Sequence, residues 1–361
     1  MTTNSDCKYI QLFAILDAEL KWHLVRTKFF SLLICALCQT QTINFQRLAV
    51  CVDSKAKISS NLRRIQRFFA EFEIDFDVIS RLIFKMLPHN PPYKLSMDRT
   101  NWKFGVFNIN ILMLSVVYKG VAFPLIWSLL PKAGNSGTKE REHIINRYIQ
   151  LFGKDNIEHL LADREFVGDE WFEYLISRGI KFYIRIRENF EVKIPGKGRV
   201  KAFWLFNALQ LNTGFNYPKI VYLKGNLVYL SGMKTIDEKG KMEFVIIASY
   251  CFSYDALSNY KERWQIETLF KALKTSGFNI EDTHLADVKR INRMLVLVAI
   301  SFVWSYLVGI YRHENVEQIK IKKHGRKAHS FFAYGLALIA KALFNRDMEL
   351  WGLCLKVLSC T

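Results

Sequence analysis

The sequence predicts an α/β protein in which a mixed sheet flanked by helices follows a helical N-terminal region. Three observations carry that reading. Apolar residues recur at helical spacing through 8–87, strand-like runs begin at Tyr93 and then alternate with helices, and residues 188–250 interrupt that alternation with short β-rich pieces.

The helical region shows its period in Leu12, Phe13, Leu16, Leu20 and Leu24, and Pro88, Pro91 and Pro92 close it. Within it, Ser59-Ser60-Asn61 is expected to cap a helix whose Arg63, Arg64 and Arg67 share one broad face. Such a face suits phosphate contact or entry into a DNA groove, and a merely solvated basic face would look the same. Beyond the prolines, 94–98 reads as a strand running into a turn-like Arg-Thr-Asn, and 104–118 and 120–130 read as two more strands. A loop over 131–138 leads to a helix at 139–152, a strand at 157–162 ending at Asp163, a helix at 169–178 and a strand at 181–186. The β-rich insertion, 188–250, contains the turn Pro195-Gly196-Lys197-Gly198 and strands at 227–231 and 242–249. A helix over 255–275 follows, with Gly277 as its stop. The expected division is an N-terminal helical domain (1–90), a core in two parts (91–187 and 251–330) around the insertion (188–250), and a C-terminal helical segment (331–361).

Composition narrows the function. Half of the 361 residues are hydrophobic, enough for a large core, and 51 Lys and Arg against 33 Asp and Glu give a net charge of +18. A protein that basic usually meets a polyanion, nucleic acid first, although a basic surface can also serve solubility alone. The cysteines, at 7, 35, 38, 51, 251, 354 and 360, are odd in number and suggest no disulfide framework, so a cytoplasmic location is expected. Cys35 and Cys38 sit in an apolar run and read as buried helix residues rather than a metal or redox pair. The dispersed histidines offer no zinc-ligand pair, and residues 1–17 do not read as a signal peptide. The uncharged stretch 294–311 is long enough to span a bilayer, but a helix buried on all sides is equally apolar. A buried helix without stable membrane association is the expectation.

The chemistry centres on 260–274. On a continuous helix Tyr260, Arg263, Glu267 and Lys274 would fall within an arc of about 60°. A surface salt-bridge ladder could give the same pattern. Two acidic residues elsewhere shift the balance, because Leu95-Ser96-Met97-Asp98 and Leu160-Leu161-Ala162-Asp163 each end an apolar strand in a carboxylate, where α/β sheets commonly place functional groups. Three carboxylates brought together repel one another unless cations offset them, and hard oxygen ligands suit Mg²⁺, a pair of which can serve both the attacking and leaving oxygens of a phosphodiester.

These segments resemble the IS4 family of DDE transposases, which includes the Tn5 and Tn10 enzymes. The family signature Y-(2)-R-(3)-E-(6)-K is met by Tyr260, Arg263, Glu267 and Lys274, and Trp264 matches its Tn5-like version. Met97-Asp98-Arg99-Thr100-Asn101-Trp102-Lys103-Phe104-Gly105 and Ala162-Asp163-Arg164-Glu165-Phe166 resemble the regions that carry the family's aspartates, and His324-Gly325-Arg326-Lys327 through Gly335 also looks familial. The resemblance implies a ribonuclease H-like core with a β-rich insertion before the glutamate, and Asp98, Asp163 and Glu267 as catalytic ligands of two Mg²⁺ ions, with Mn²⁺ as a substitute. It implies a cytoplasmic, nucleoid-associated bacterial enzyme that binds terminal inverted repeats and target DNA. It would work as a homodimer in a synaptic complex, cutting and pasting through a hairpin. Tyr260, Arg263 and Lys274 would hold phosphates, and Trp264 would help to place a distorted DNA end. Arg63, Arg64, Arg67 and the basic loop with Lys322, Lys323 and Arg326 are further candidates for backbone contact. The family's insertion tryptophan for a flipped base has one counterpart, Trp204, which could equally be core. Glu165 and Asp169 have plain roles available and are left out of the metal set. The alternative is a catalytically silent DNA-binding protein of the same fold.

Overall fold

The computed structural model describes residues 4–359 apart from Gly105, Glu238, Ser276, His284 and His324, with side chains over 9–358. Gly105 and His324 of the motifs above, and the side chains of Cys7 and Cys360, therefore lie outside the described part.

In chain order, five helices come first: α1 Asn4–Leu20, α2 Leu24–Thr40, α3 Phe45–Cys51, α4 Ile58–Glu71 and α5 Phe76–Lys85. Strands β1 Tyr93–Phe104, β2 Phe107–Tyr118 and β3 Val121–Leu130 precede α6 Thr138–Phe152. Then come β4 Ile157–Ala162, α7 Asp169–Ser177 and β5 Phe182–Ile186. Six shorter or later strands follow: β6 Glu191–Ile194, β7 Gly198–Lys201, β8 Gly214–Asn216, β9 Val221–Leu223, β10 Asn226–Ile236 and β11 Met242–Ser249. Helices α8 Ala256–Lys261, α9 Trp264–Lys274, α10 Val288–Asn315, α11 Phe331–Phe344 and α12 Met348–Ser359 complete the chain.

Two units form. One takes Asn90–Asn101 and Asn110–Leu269; the other takes the chain up to His89, Trp102–Ile109 and everything from Phe270 onward. The first is built on a mixed sheet of order β3-β2-β1-β4-β5-β11-β10-β9-β6-β7, with β8 beside β10. β2 and β3 are antiparallel, β1 is parallel to β4, β4 is parallel to β5, and β11 returns antiparallel to β5. Three meandering strands followed by two parallel ones joined through a helix make this mixed α/β sheet consistent with a ribonuclease H-like arrangement. The central strands are buried on both faces, which is why Leu160-Leu161-Ala162 and Ile111-Leu112-Met113-Leu114 read as unbroken apolar runs.

The second unit is helical. Its centre is α10, started by Asp287, whose side chain accepts the Arg290 N–H at 2.7 Å. Its apolar stretch is 94% buried within the protein, so the uncharged run over 294–311 is accounted for by core packing. α11 crosses α10 at Gly309 and Gly335, where a Cβ on Gly335 would lie 1.9 Å from the Ser305 carbonyl oxygen. Only the missing side chains allow that approach. Trp304 donates from Nε1 to the Cys354 carbonyl at 2.8 Å and meets Trp351 edge to face at 5.6 Å. Cys35 and Cys38 are buried thiols of α2, as expected, and burial pushes the Cys38 thiol up.

Two local expectations fail. Arg99-Thr100-Asn101 does not turn: β1 runs on to Phe104, because Thr100 and Trp102 continue the alternate burial of the strand. Ser59-Ser60-Asn61 does not cap α4 either. The helix starts one residue earlier, at Ile58 after Lys57, without a side-chain cap. Asn61 is instead buried, donating to the carbonyls of Ala49 (3.4 Å) and Val52 (3.5 Å) and accepting from Ser54 (2.8 Å). Satisfying the end of α3 outweighs capping α4.

Candidate active site

The register of β1 and β4 fixes the first pair of carboxylates. Met97 lies opposite Ala162, so the next residues, Asp98 and Asp163, stand side by side where β4 ends and β1 runs on, with strands about 4.8 Å apart. After Asp163 the chain turns tightly. Its Oδ1 accepts the Glu165 N–H at 2.8 Å, and its carbonyl accepts the Phe166 N–H at 3.1 Å.

Two arginines hold this turn, and neither was assigned a role from the sequence. Arg141 of α6 is buried, donates to the Ser136 carbonyl (2.6 Å), the Ser136 hydroxyl (2.9 Å) and the Glu165 carbonyl (3.1 Å), and lies 4.7 Å over the Phe166 ring. Arg99 grips the Glu165 carboxylate with two bonds, 3.2 and 3.1 Å, and reaches Asn110 (2.9 Å) and Asn135 (3.3 Å). Glu165 thus has an ion-pair partner of its own. For Arg99 the signal in the sequence is its place directly after Asp98, but nothing in the spacing says which acid it meets, and Arg141 carries no such signal.

Glu267 comes from α9. The single helix expected over 255–275 is in fact two, α8 and α9, joined by a tighter turn in which Arg263 N–H bonds the Tyr260 carbonyl (3.0 Å) and Ile266 N–H bonds that of Arg263 (3.1 Å). Contacts with the sheet hold the break. Lys94 of β1 pairs with Glu262 at 2.6 Å, and Gln265 accepts the Gly120 N–H at 3.1 Å. With three residues per turn, side chains at i and i+3 eclipse. Accordingly, the Arg263 guanidinium lies 5.7 Å over the Tyr260 ring.

Arg263 is the hub. One guanidinium nitrogen donates to Asp98 Oδ2 at 3.1 Å and the other to Glu267 Oε1 at 2.5 Å, while its buried Nε has no hydrogen-bond partner. Burial opposes its charge, but Tyr260, Glu267 and Asp98 outweigh that and hold the guanidinium firmly protonated. Burial pushes the Asp98 carboxyl up to about 7; the Arg99 N–H and Arg263 pull it down, and Asp163 and Glu165 push it further up. Tyr260 is also raised, by burial first, with Arg263 and Arg185 opposing and Asp163 adding. Glu267 is more open than Asp98 and Arg263, its side chain 35% exposed.

Asp98, Asp163, Glu267, Tyr260 and Arg263 therefore form one electrostatically linked group. Among the described residues no three acidic, His or Cys side chains lie close enough to enclose a metal ion as they stand. The donor set nevertheless fits a hard divalent cation in kind: carboxylate oxygens at the end of a sheet, one of them costly to ionise without more positive charge.

The other predicted residues make contacts of their own. Lys274, at the far end of α9, pairs with Glu281 at 3.1 Å and lies 5.7 Å from the Trp102 ring. Trp264 is 63% exposed, and so is 60% of Trp204, which stacks on Phe203 at 5.2 Å and is not core. Arg63, Arg64 and Arg67 are exposed on α4, Arg64 lying 4.5 Å over Phe29. Lys322, Lys323 and Arg326 are exposed on a small turn closed by a bridge between Ile321 and Lys327.

No curated protein matches this chain. A family model does: residues 125–304 match the transposase DDE domain, a segment that contains Asp163 and Glu267 and begins downstream of Asp98. Such domains generally use divalent metal ions and act on DNA, and the match supports a DDE transposase.

Proposed function

We propose that this chain is the transposase of an insertion sequence of the IS4 family, acting in the bacterial cytoplasm, with Asp98, Asp163 and Glu267 as its catalytic carboxylates. The observation that carries the reading is the meeting of Asp98, from a strand, with Glu267, from a helix 169 positions later, on the single guanidinium of Arg263 beside Asp163. An ion-pair network that buries charge at a sheet end is costly as pure structure, so a function that uses the charge is the economical explanation.

Asp98, Asp163 and Glu267 would hold the Mg²⁺ ions, for which Mn²⁺ can substitute. Two such ions supply polarisation of the scissile phosphodiester and activation of a water or 3′-hydroxyl. Arg263, already forked and fully charged, is suited to donate hydrogen bonds to phosphate oxygens of the DNA end, with Tyr260 beside it. Lys274 would add a further phosphate contact along α9. Trp264 and Trp204, both with faces open to solvent, are suited to stack an unpaired base during hairpin formation. Residues 1–90 would form the DNA-binding domain through Arg63, Arg64 and Arg67, with 188–250 as the insertion, 91–187 and 251–330 as the core and 331–361 as the C-terminal helices. Lys322, Lys323 and Arg326 would add backbone contacts. Terminal inverted repeats and target DNA would be the substrates, bound by a homodimer in a synaptic complex for cut-and-paste transposition.

The test is cleavage of DNA spanning the ends of the element that encodes the protein. Mg²⁺-dependent nicking, hairpin formation and joining to a target are expected from the wild type and not from Asp163→Asn. Equal DNA binding by both without any cleavage by either would leave a catalytically silent DNA-binding protein.

A further inference from the structure

The strands β6, β7 and β9 make a small ribbon with two unlike faces. Val192, Ile194, Val221 and Leu223 point inward and are buried, while the alternate residues are exposed. The register sets those exposed residues in rows. Arg199 of β7 lies opposite Lys193 of β6, which lies opposite Tyr222 of β9, which lies opposite Leu227 of β10. Two residues along, Lys201 lies opposite Glu191, and Lys224 follows at the end of β9. Lys193 approaches the Tyr222 ring at 5.8 Å and Lys224 the Phe190 ring at 5.7 Å. Four cations and two aromatic rings therefore share the face with one carboxylate, Glu191, which is 3.9 Å from Arg199.

The pairing of Lys193 with Arg199 is informative. Like charges directly opposite on neighbouring strands are destabilising, and positions so exposed accept neutral residues readily. An anion lying across the row reverses the sign of that cost. The face also adjoins a groove that reaches the residue after Asp163. A cleft of about 560 Å³ bounded by Lys193, Arg199, Tyr222 and Lys224 shares Asn189 with a second groove. That groove runs past Arg187 and Arg185 to Arg164, the residue after Asp163, with Glu188, Asp237 and Glu243 on its walls.

We infer that the outer face of β6, β7 and β9 grips the sugar-phosphate backbone of duplex DNA that leaves the active site along β5, without reading its sequence. Lys193, Arg199, Lys201 and Lys224 would contact phosphates, and Tyr222 and Phe190 would bear on the sugars. This rests on the DNA-processing reading above.

The experiment uses the full-length protein, in Ca²⁺ to prevent cleavage, and two end-containing duplexes that differ only in length of flanking DNA. Affinities are measured across a salt series. For Lys193→Thr with Arg199→Thr and Lys201→Thr, the slope of log affinity against log salt should fall by about 2 to 3 on the long duplex, since each lost phosphate contact removes about 0.9. The short duplex should show little change. Tyr222→Ala should weaken long-duplex binding with the slope kept. The DNA-free triple variant should melt at or above the wild-type temperature at low salt. An unchanged slope with wild-type DNA affinity overturns the inference alone. Protection of the wild type by inorganic phosphate, equal to that by DNA and lost in the variant, would replace DNA with a small anion and also overturn it. Failure of wild type to bind any duplex overturns the underlying functional reading instead.

Discussion

The crossing of α10 and α11 and the end of β4 beside Asp98 are both largely shielded from water, yet for opposite reasons. At the crossing, Gly309 and Gly335 remove every side-chain atom so that two backbones can touch, and the atoms that meet there are uncharged peptide groups. At the sheet end, Asp98 and Arg263 are charged groups largely withdrawn from water, held by each other and by Glu267. The first region gains stability from tight packing. The second tolerates a stability cost for a concentration of charge, which is the usual mark of a working site.

The comparison breaks most visibly at the crossing. Gly335→Val would place a Cβ 1.9 Å from the Ser305 carbonyl oxygen and 2.5 Å from the Gly309 nitrogen. A loss of more than about 4 kcal/mol is expected, enough to prevent accumulation of folded protein, read by expression in the folded state and by thermal melting. Conversely, Asp98→Asn should leave a folded protein while lowering metal-dependent cleavage by more than about a hundredfold. It should also abolish the rise in melting temperature expected of the wild type in millimolar Mg²⁺, and an undiminished rise would remove Asp98 from the metal set.

Arg263→Met sharpens the second half of the contrast. Leaving Asp98 buried without its cation should cost about 3 kcal/mol in metal-free protein at pH 8. The sign with pH follows from Asp98, whose folded pKa of about 7 lies above its ordinary 3.8. Between those values the folded state holds the extra proton, so this group's stability contribution is full at acid pH and is lost as pH rises toward and past 7. The cost of Arg263→Met should therefore shrink toward pH 5, measured by denaturant unfolding at both pH values; a cost that is independent of pH would contradict the assignment.

His159 gives the smallest effect, and of opposite sign. Burial first, then Lys94 and Lys181, lower it to about 4 from 6.5. It packs against Tyr183 at 5.0 Å as a neutral ring, and its proximity to Glu158, 3.3 Å, does not compensate for burial. The unfolded chain protonates it first, so its contribution is full above 6.5 and is lost as pH falls toward 4. One pH unit within that window is worth about 1 kcal/mol, and His159→Gln should flatten the acid side of the stability profile by that much.

Much of the architecture was legible because period is a local property. The strand over 157–162, that over 242–249 and the helix over 139–152 fall within a residue of their expected limits, since each has a continuous apolar pattern and a turn or glycine at its end. Where tertiary contact competes with local preference, the reading failed. Asn61 left its capping role to serve the carbonyls of Ala49 and Val52, and the helix over 255–275 broke where Glu262 and Gln265 are tied to the sheet. The strand over 242–249, assigned to the insertion, pairs directly with β5 and so extends the sheet that carries the Asp163 turn.

What the sequence determined by itself was the chemistry available: two aspartates that each follow an apolar run, a glutamate four residues after an arginine, and an excess of positive charge. Their types and spacings are written in the chain and need no fold to be read. Which acid each arginine serves was decided only in three dimensions. Arg99, next to Asp98, turns to Glu165, whereas Arg263, 165 residues away, bridges Asp98 to Glu267. The reason is geometric: strand register and the break between α8 and α9 aim these side chains, and both are set by long-range packing that no local pattern encodes.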